Sequence, residues 1–148
     1  MVDVALCRID PTPIAVAKRE VRQAEIGTVM VSALDAVWSF VRSRGLDAGH
    51  NVAIYGPGVD DELRAWFGVE VATPFDGDCS IECAAMPSGL TAVATHVGPY
   101  ARLGATHRAV MEWCLEAGHT LSDTSWERYG DWTDDESRLR TDVGYLLG

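Results

Sequence analysis

Thr91-Ala92-Val93-Ala94 matches Ile14-Ala15-Val16-Ala17 at an offset of 77 residues, and this match decides the predicted fold. Two copies of one supersecondary unit are too few for a solenoid and predict a duplication with pseudo-twofold symmetry. The copies cover about residues 4–72 and 79–147 of a single domain that spans residues 1–148. Further matches keep the same order at offsets between 73 and 77 residues: Gly27 with Gly104, Trp38 with Trp113, Gly45 with Gly118, and Tyr55-Gly56 with Tyr129-Gly130.

Each copy is predicted to fold as two strands, a helix and two more strands. Apolar residues recur at steps of three and four over about 26–44 and 101–117, which indicates two helices. The first two strands of each copy are expected to pair around a tight turn, at Pro11-Thr12-Pro13 and at Met86-Pro87-Ser88-Gly89. This order predicts an α+β fold, an antiparallel sheet with two helices on one side. The predicted strands are 4–9, 14–21, 51–55, 63–71, 79–85, 91–97, 125–129 and 139–147.

The charge balance is strongly acidic. The 22 acidic and 12 basic residues give a formal net charge of −10. Nucleic-acid binders need a basic surface that displaces counterions from phosphates, so we expect no direct binding to nucleic acid. The acidity either keeps the protein soluble or provides a field that favours cations.

The sequence also predicts a cytoplasmic protein that makes no use of a membrane. No stretch approaches the ~20 unbroken apolar residues of a membrane-spanning helix. The N-terminus, Met1-Val2-Asp3-Val4, lacks the basic and apolar regions of a signal peptide.

Neither a metal nor a cofactor is expected. The four cysteines are too scattered for a disulfide scaffold, which indicates a reduced protein. Cys79 and Cys83 share the face of a predicted strand, but at ~3.3 Å per residue they stand roughly 13 Å apart, too far to chelate one ion. The four histidines show no ligand spacing either.

The chain has more large amphipathic rings, 5 Trp and 4 Tyr, than a small core requires. Such rings pack apolar ligands and still offer a polar edge. On the two helices, a tryptophan on an apolar face is more often a plain core residue than a ligand contact. The candidate ligand contacts are Trp38, Tyr55, Trp66, Tyr100 and Trp113.

A series of short motifs carries a family resemblance over nearly the whole chain. His96-Val97-Gly98-Pro99-Tyr100 leads into the second helix, Trp126-Glu127-Arg128-Tyr129 follows it, and Leu139-Arg140-Thr141-Asp142-Val143 lies near the C-terminus. In order and spacing, the series resembles the GyrI-like family, the effector-binding domain of AraC-type and multidrug-responsive regulators. The resemblance implies duplicated β-α-β-β units with a central cleft between the halves.

The resemblance also implies a role for Glu127. In family members that bind drugs, a glutamate in the cleft pairs with the ligand's positive charge, and aromatic rings surround the ligand. On a strand, Glu127 and Tyr129 point to one face, and the matched position in the first copy is Ala53. The alternative is a glutamate on a solvated face, or one paired with an arginine such as Arg128 or Arg102.

The last strand departs from the family pattern of an acid, a spacer and a tyrosine, in which the first and third face the cleft. Asp142 matches the acid, but Gly144 occupies the place of the tyrosine, and Tyr145 follows one residue later. A shift of one residue moves a side chain to the other face of a sheet, so Tyr145 replaces the missing ring only if a bulge intervenes. Gly144 is then expected to leave extra room for a ligand, and Asp142 is either a ligand contact or a surface acid.

Three functions remain open. The first is the binding of a hydrophobic, cationic small molecule by a sensor or sequestering module; because the first strand begins close to Met1, we expect no DNA-binding domain before it. The second is a hydrolase of strained or electrophilic small molecules, with Glu127 as general base assisted by Tyr129.

The third function is a protein-interaction module such as a gyrase inhibitor, since the resemblance extends to a gyrase-inhibiting member. An acidic surface could mimic nucleic acid for such a protein partner. The acidic run is Asp131, Asp134, Asp135 and Glu136, although charge runs of this kind are usually just solvated loops.

Overall fold

A computed structural model describes residues 2–148. In chain order its strands and helices are β1 (Ala5–Ile9), β2 (Pro13–Val21), α1 (Ile26–Arg44), β3 (Ala48–Pro57), β4 (Leu63–Val71), β5 (Glu82–Ala85), β6 (Gly89–Val97), α2 (Leu103–Glu116), β7 (Leu121–Tyr129) and β8 (Arg140–Leu147). Short 3-10 turns lie at Gln23–Glu25, Tyr100–Arg102 and Glu136–Arg138. The predicted α+β class is therefore confirmed, with every predicted strand and helix present and only the ends shifted.

The chain forms two compact units. The first unit is Pro11–Met86, and the second unit combines the N-terminal residues up to Asp10 with Pro87–Gly148. In the first unit the strands lie in the order β3-β4-β2-β5, and every neighbouring pair is antiparallel. In the second unit the order is β1-β6-β8-β7, also antiparallel throughout.

Each helix packs through one apolar stripe. The buried residues of α1 are Ala33, Val37, Phe40 and Val41, and those of α2 are Leu103, Thr106, Val110 and Cys114, both at helical spacing. The glycines that follow the helices, Gly45 and Gly118, have positive φ angles of 62° and 81°, which suit a residue without a Cβ.

The length and hydropathy of residues 23–44 would also allow this helix to cross a membrane. Taken alone this is weak evidence, because core helices pass the same test, and α1 packs on β2 and β4.

The expected pairing of the first two strands within each copy is wrong. β1 pairs with β6, with Ile9 opposite Gly89, and β5 pairs with β2, with Pro13 opposite Ala85. Residues before proline favour extended backbone, and proline suits neither position of the two-residue turns that close hairpins. Asp10, Thr12 and Met86 each precede a proline, so the chain continues instead of folding back. The boundaries between the two units thus lie at residues 10–11 and 86–87. The predicted copies, 4–72 and 79–147, place a single boundary between residues 72 and 79 instead.

Candidate functional site

One face of the second unit's sheet carries an unusual set of polar side chains. Across β7 and β8, Ser125 lies opposite Tyr145, Glu127 opposite Val143, and Tyr129 opposite Thr141. Alternate residues of a strand share a face, so all of these side chains point the same way. Val143 is fully buried in a cluster with residues of α2. This face is therefore the one that α2 covers.

Glu127 is a buried carboxylate with a donor on each oxygen. The residue is 7% exposed. Its Oε2 lies 2.7 Å from Nε2 of His107, and the Tyr129 hydroxyl donates to its Oε1. An unpaired polar group in such a place costs several kcal/mol, roughly, so these hydrogen bonds satisfy both carboxylate oxygens and hold the side chain in place. The expectation of a solvated glutamate is wrong for this residue.

His107 joins this carboxylate to a second hydroxyl. Its Nδ1 lies 2.7 Å from the Tyr145 hydroxyl, and the two rings meet edge to face at 5.6 Å. Because an ionised carboxylate only accepts, Nε2 of His107 donates to Glu127, and Nδ1 of the neutral ring accepts from Tyr145. Burial, and next the charge of Glu127, raise the pKa of Tyr145 to about 12, while a hydrogen bond with Ser125 opposes the shift. Tyr145 is thus a neutral hydroxyl at physiological pH.

Two of the rings predicted as ligand contacts, Tyr100 and Trp113, belong to the second unit. Tyr100, in the turn before α2, is 41% exposed and lies edge-on to Tyr129 at a centroid distance of 5.5 Å. Burial raises the pKa of Tyr100, which also keeps that hydroxyl neutral. Trp113 packs instead against the second unit's core and stacks on His119 at 5.7 Å. Glu127, Tyr129, His107 and Tyr145 are joined by hydrogen bonds and are called the Glu127 network below. Tyr100 contacts this network, whereas Trp113 is partly buried against the core.

The structure separates the predicted rings of the first unit. The Trp38 indole donates to Oδ1 of Asn51 at 2.9 Å, on the α1 face of the sheet that also carries Tyr55. Trp66 lies opposite Lys18 and Ile54, on the other face. Tyr55 and Trp66 therefore lie on opposite faces of this sheet, and their role as ligand contacts stays a prediction.

Asp142 does not join Glu127 either. It lies opposite Arg128 of β7, and so points to the other face of the sheet. There its Oδ1 accepts from Thr95 at 2.7 Å, and its Oδ2 lies 3.8 Å from Arg128. Arg128, suggested as a partner of Glu127, is thus paired with Asp142.

The expected extra room at Gly144 is also absent. A Cβ at Gly144 would overlap the indole ring of Trp126, which fills that space. Pairing is regular from Tyr129–Thr141 to Ser125–Tyr145, so Tyr145 reaches the Glu127 face without a bulge. The prediction placed Asp142 on the face of β8 that carries Glu127 and Tyr145 on the other face. The structure shows the reverse, because Asp142 and Gly144 point away from the Glu127 face and Tyr145 lies on it.

A family model described as a GyrI-like small molecule binding domain matches residues 3–144. The chain belongs to the GyrI-like family. Its second unit therefore carries the Glu127 network within a small-molecule-binding domain. A comparison with curated proteins gives no match.

Solved structures share the GyrI-like fold at low sequence identity. The C-terminal domain of EcmrR has a TM-score of 0.84 and 16% identity, over 100% of this chain and 98% of that domain. A longer EcmrR chain in a DNA complex is matched over only 57% of its length, with a TM-score of 0.83 and 17% identity over 99% of this chain.

Two further structures with this fold are a ligand complex and a hydrolase. SAV2435 bound to tetraphenylphosphonium has a TM-score of 0.68 and 10% identity, over 99% of this chain and 94% of that one. A hydrolase of Listeria innocua encoded by lin2189 has a TM-score of 0.64 and 7% identity, over 98% and 91%. At these identities the likeness shows the fold alone.

Sequence reasoning missed His107 and Ser125 in this GyrI-like chain. His107 lies one turn after Leu103 and one turn before Val110, within the buried stripe of α2. A histidine on an otherwise apolar stripe was the available signal. His96, noted only as part of a motif, also lies on the α2 side, where its Nδ1 is 2.8 Å from Oγ1 of Thr106 and its Nε2 is 2.9 Å from the Pro99 carbonyl oxygen.

The rest of the described surface offers weaker sites. Within residues 2–148, no group of three or more His, Cys, Asp or Glu side chains is arranged to hold a metal. A hollow of about 420 Å³ lies on the first unit, and none of the residues that line it is a predicted site residue. It is lined by Lys18, Arg19, Asp78, Cys79, Ser80 and Glu82.

Proposed function

We propose that this domain binds hydrophobic organic cations on the α2 face of the second unit, with Glu127 as the counter-charge. The observation that carries the proposal is the buried carboxylate of Glu127, held between His107 and Tyr129. Glu127 is 7% exposed, so water screens the charge of its carboxylate poorly. A cationic ligand that reaches it would gain from that charge.

The aromatic rings next to Glu127, those of Tyr100 and Tyr129, suit a cation with a hydrophobic surface. Tyr100 is exposed and touches Tyr129, whose hydroxyl reaches Glu127, so the two rings form a wall that leads from solvent to the carboxylate. Ring faces attract cations by about 0.5–2 kcal/mol, more as water is excluded. A ring that also packs apolar groups favours ligands with aromatic or alkyl surface.

Both oxygens of Glu127 already accept hydrogen bonds within the protein. A ligand therefore gains from the charge of the carboxylate more than from a new hydrogen bond to it. This favours permanent cations without N–H donors, such as phosphonium and quaternary ammonium ions, over primary amines. The phosphonium-bound SAV2435 makes tetraphenylphosphonium a suitable first probe.

The test is calorimetric titration with tetraphenylphosphonium, with its shape-matched anion tetraphenylborate, and with neutral triphenylphosphine oxide. The protein should prefer the cation, and Glu127→Gln should weaken cation binding roughly ten- to a hundredfold, because an ionic hydrogen bond or comparable charge contact is worth about 1.5–3 kcal/mol. Binding of the neutral probe should change little.

The matched control is Glu70→Gln, which removes a second glutamate that also faces a histidine, His50, at 3.5 Å in the first unit. It should leave cation affinity unchanged. Equal binding of the cation and the anion by the unmodified protein would refute the counter-charge.

We infer a second candidate, the hydrolysis of strained electrophiles, from the hydrogen bonds that link Glu127 to His107 and Tyr145. Glu127 would take a proton from water as the water oxygen attacks a ring carbon; the strained bond breaks, and the proton passes to the leaving atom. Water is thus added across the broken bond.

Styrene oxide is a simple probe for this chemistry, because its strained ring opens to a diol. The expected result for a hydrolase is the diol, carrying the label when the reaction is run in ¹⁸O-water, and its loss in Glu127→Gln. Recovery of intact epoxide at the rate seen without protein would leave binding as the function.

A further inference from the structure

The motif His96-Val97-Gly98-Pro99-Tyr100 forms the turn that joins β6 to α2. Gly98 has a φ angle of 131°, which residues with a Cβ rarely adopt. Its N–H donates to the carbonyl oxygen of Leu139 at 2.8 Å. The Arg102 N–H donates to the carbonyl oxygen of Pro99 at 3.1 Å and closes a 3-10 turn. These bonds set the path of the backbone between the strand and the helix.

The side chain of His96 is bonded to this turn and to α2. Its Nε2 lies 2.9 Å from the carbonyl oxygen of Pro99, and its Nδ1 lies 2.8 Å from Oγ1 of Thr106. A carbonyl oxygen only accepts, so Nε2 carries a hydrogen and donates to Pro99. His96 and Thr106 are both buried, which makes these bonds costly to break. The imidazole thus joins the turn to the first turn of the helix.

Tyr100 lies in the chain between Pro99 and Thr106, the two residues that His96 binds. Tyr100 is 41% exposed, and its ring lies edge-on to that of Tyr129 at a centroid distance of 5.5 Å. A ring with so much exposed surface has few neighbours to hold it, so its position depends on the backbone of the turn. A ring that is held in place before a ligand arrives costs less ordering on binding, and the affinity is higher.

The first unit builds the same backbone turn with a different residue in the place of His96. At the offset of 77 residues, its 3-10 turn Gln23–Glu25 corresponds to Tyr100–Arg102. Both turns are closed by the same backbone hydrogen bond, at 2.8 and 3.1 Å. Arg19 occupies the place of His96, and the turn begins with a glutamine instead of a tyrosine. The turn therefore forms without this histidine, which occurs together with the aromatic ring.

We propose that His96 is a positioning residue for the cation site: by fixing the turn, it holds the ring of Tyr100 against Tyr129, where that ring would meet a cation. The effect on binding rests on the proposed function, whereas the placement of Tyr100 is measurable without any ligand. The histidine of the motif thereby acts on a ligand through Tyr100, and not by touching the ligand itself.

The first test is a double-mutant cycle on the affinity for tetraphenylphosphonium. Tyr100→Leu removes the ring but keeps apolar bulk, and it should weaken binding about two- to fivefold, as expected for one exposed contact between a cation and a ring. His96→Leu should cause a loss of the same size or a smaller one. In the double variant the two losses should not add, because His96 acts through Tyr100.

A conservative variant and a matched control exclude a general loss of stability as the cause. The amide of His96→Gln can still donate to the carbonyl oxygen of Pro99, so this variant should bind nearly as well as the unmodified protein. Thr91→Val is the control, because it removes another buried hydrogen bond of β6, from the Thr91 hydroxyl to the carbonyl oxygen of Gly89 at 3.1 Å. Its affinity should stay unchanged even where its stability falls.

The second test uses the protein without a ligand. Fluorotyrosine labelling gives one fluorine signal for each of the 4 tyrosines, and the signal that Tyr100→Leu lacks belongs to Tyr100. In His96→Leu this signal should move toward that of free fluorotyrosine, whereas His96→Gln and Thr91→Val should leave it in place. If His96→Leu does not fold, the nitrogen–proton spectrum of the histidine rings in the unmodified protein decides: a hydrogen on Nε2 of His96 supports the proposal, and a bare Nε2 overturns it.

The outcomes separate this proposal from the proposed function. Losses in His96→Leu and Tyr100→Leu that add in full, or a Tyr100 signal that stays in place in His96→Leu, overturn the positioning role and leave cation binding intact. No binding of tetraphenylphosphonium by the unmodified protein overturns the proposed function, and a displaced Tyr100 signal then still supports the positioning role. Losses that do not add, together with a displaced signal, support both.

Discussion

In the first unit, Ala53 lies opposite Phe67 on the face that α1 covers; in the second unit, the matched Glu127 lies opposite Val143 under α2. Ala53 is completely buried and Glu127 nearly so. A tyrosine follows two residues later in both strands, Tyr55 and Tyr129, yet the first contacts Phe67 and the second donates to Glu127. The same scaffold position is thus apolar in one unit and ionic in the other.

The difference teaches that a buried charge is accommodated only with its whole set of partners. Met30 occupies the place of His107, since each lies three residues after the matched glycines Gly27 and Gly104. At these two matched positions, the first unit therefore has neither the imidazole nor the carboxylate. A buried polar network stabilises a fold only when every member is satisfied, so a single substitution cannot convert one unit into the other.

The largest effects should come from a pair of glycines. Gly68 and Gly144 follow Phe67 and Val143, and a Cβ would overlap the backbone of Ala15 at Gly68 but the side chain of Trp126 at Gly144. Backbone cannot move aside as a side chain can. Gly68→Ala should therefore cost more than about 4 kcal/mol of unfolding free energy and Gly144→Ala about 1–3 kcal/mol. Urea denaturation measures both, and equal losses would contradict the distinction.

Ala53→Glu tests whether the first unit can hold the charge. We expect a loss of about 3–5 kcal/mol in the free energy of unfolding, because the carboxylate would be buried without donors. Ala53→Ser, which adds a smaller neutral group, is the control and should cost less. A loss below about 1 kcal/mol would show that the first unit supplies partners for the charge after all.

Trp38→Phe and Trp113→Phe compare the matched tryptophans. Both changes remove apolar area, but within residues 2–148 only the indole of Trp38 donates a hydrogen bond, to Asn51, whereas Trp113 stacks on His119. Trp38→Phe should therefore cost about 1 kcal/mol more than Trp113→Phe in chemical denaturation. If Trp113→Phe instead proves more costly, then packing against the second core outweighs the indole bond.

An effect confined to alkaline pH comes last. The pKa of Tyr145 is raised from 10.0 to about 12 by burial and then by Glu127, so the folded protein keeps this proton longer than the unfolded chain. Its contribution to stability is complete below pH 10 and is lost as the pH rises toward 12. Tyr145→Phe should reduce the loss of stability over this interval, measured by the denaturation midpoint. An unchanged loss would assign the alkaline transition to other groups.

The sequence by itself determined the fold class, the two helices, the family and the shared strand face of Glu127 and Tyr129. These follow from local signals: apolar spacing sets each helix, prolines and glycines set its limits, and the pair Glu127 and Tyr129 shares a face by simple alternation. The match at residues 3–144 confirms the family that the short motifs indicated.

Only the tertiary structure decided which strands pair and which side chains meet Glu127. The exchange of β1 and β5 depends on pairings such as Cys7 with Thr91 and Val16 with Glu82, which join residues far apart in the chain. The side chains that reach Glu127 depend on the register of β8 against β7, where a shift of one residue exchanges Asp142 and Val143 between faces. His107 meets Glu127 through the packing of a helix on a sheet, a contact set by core shape and not by any spacing along the chain.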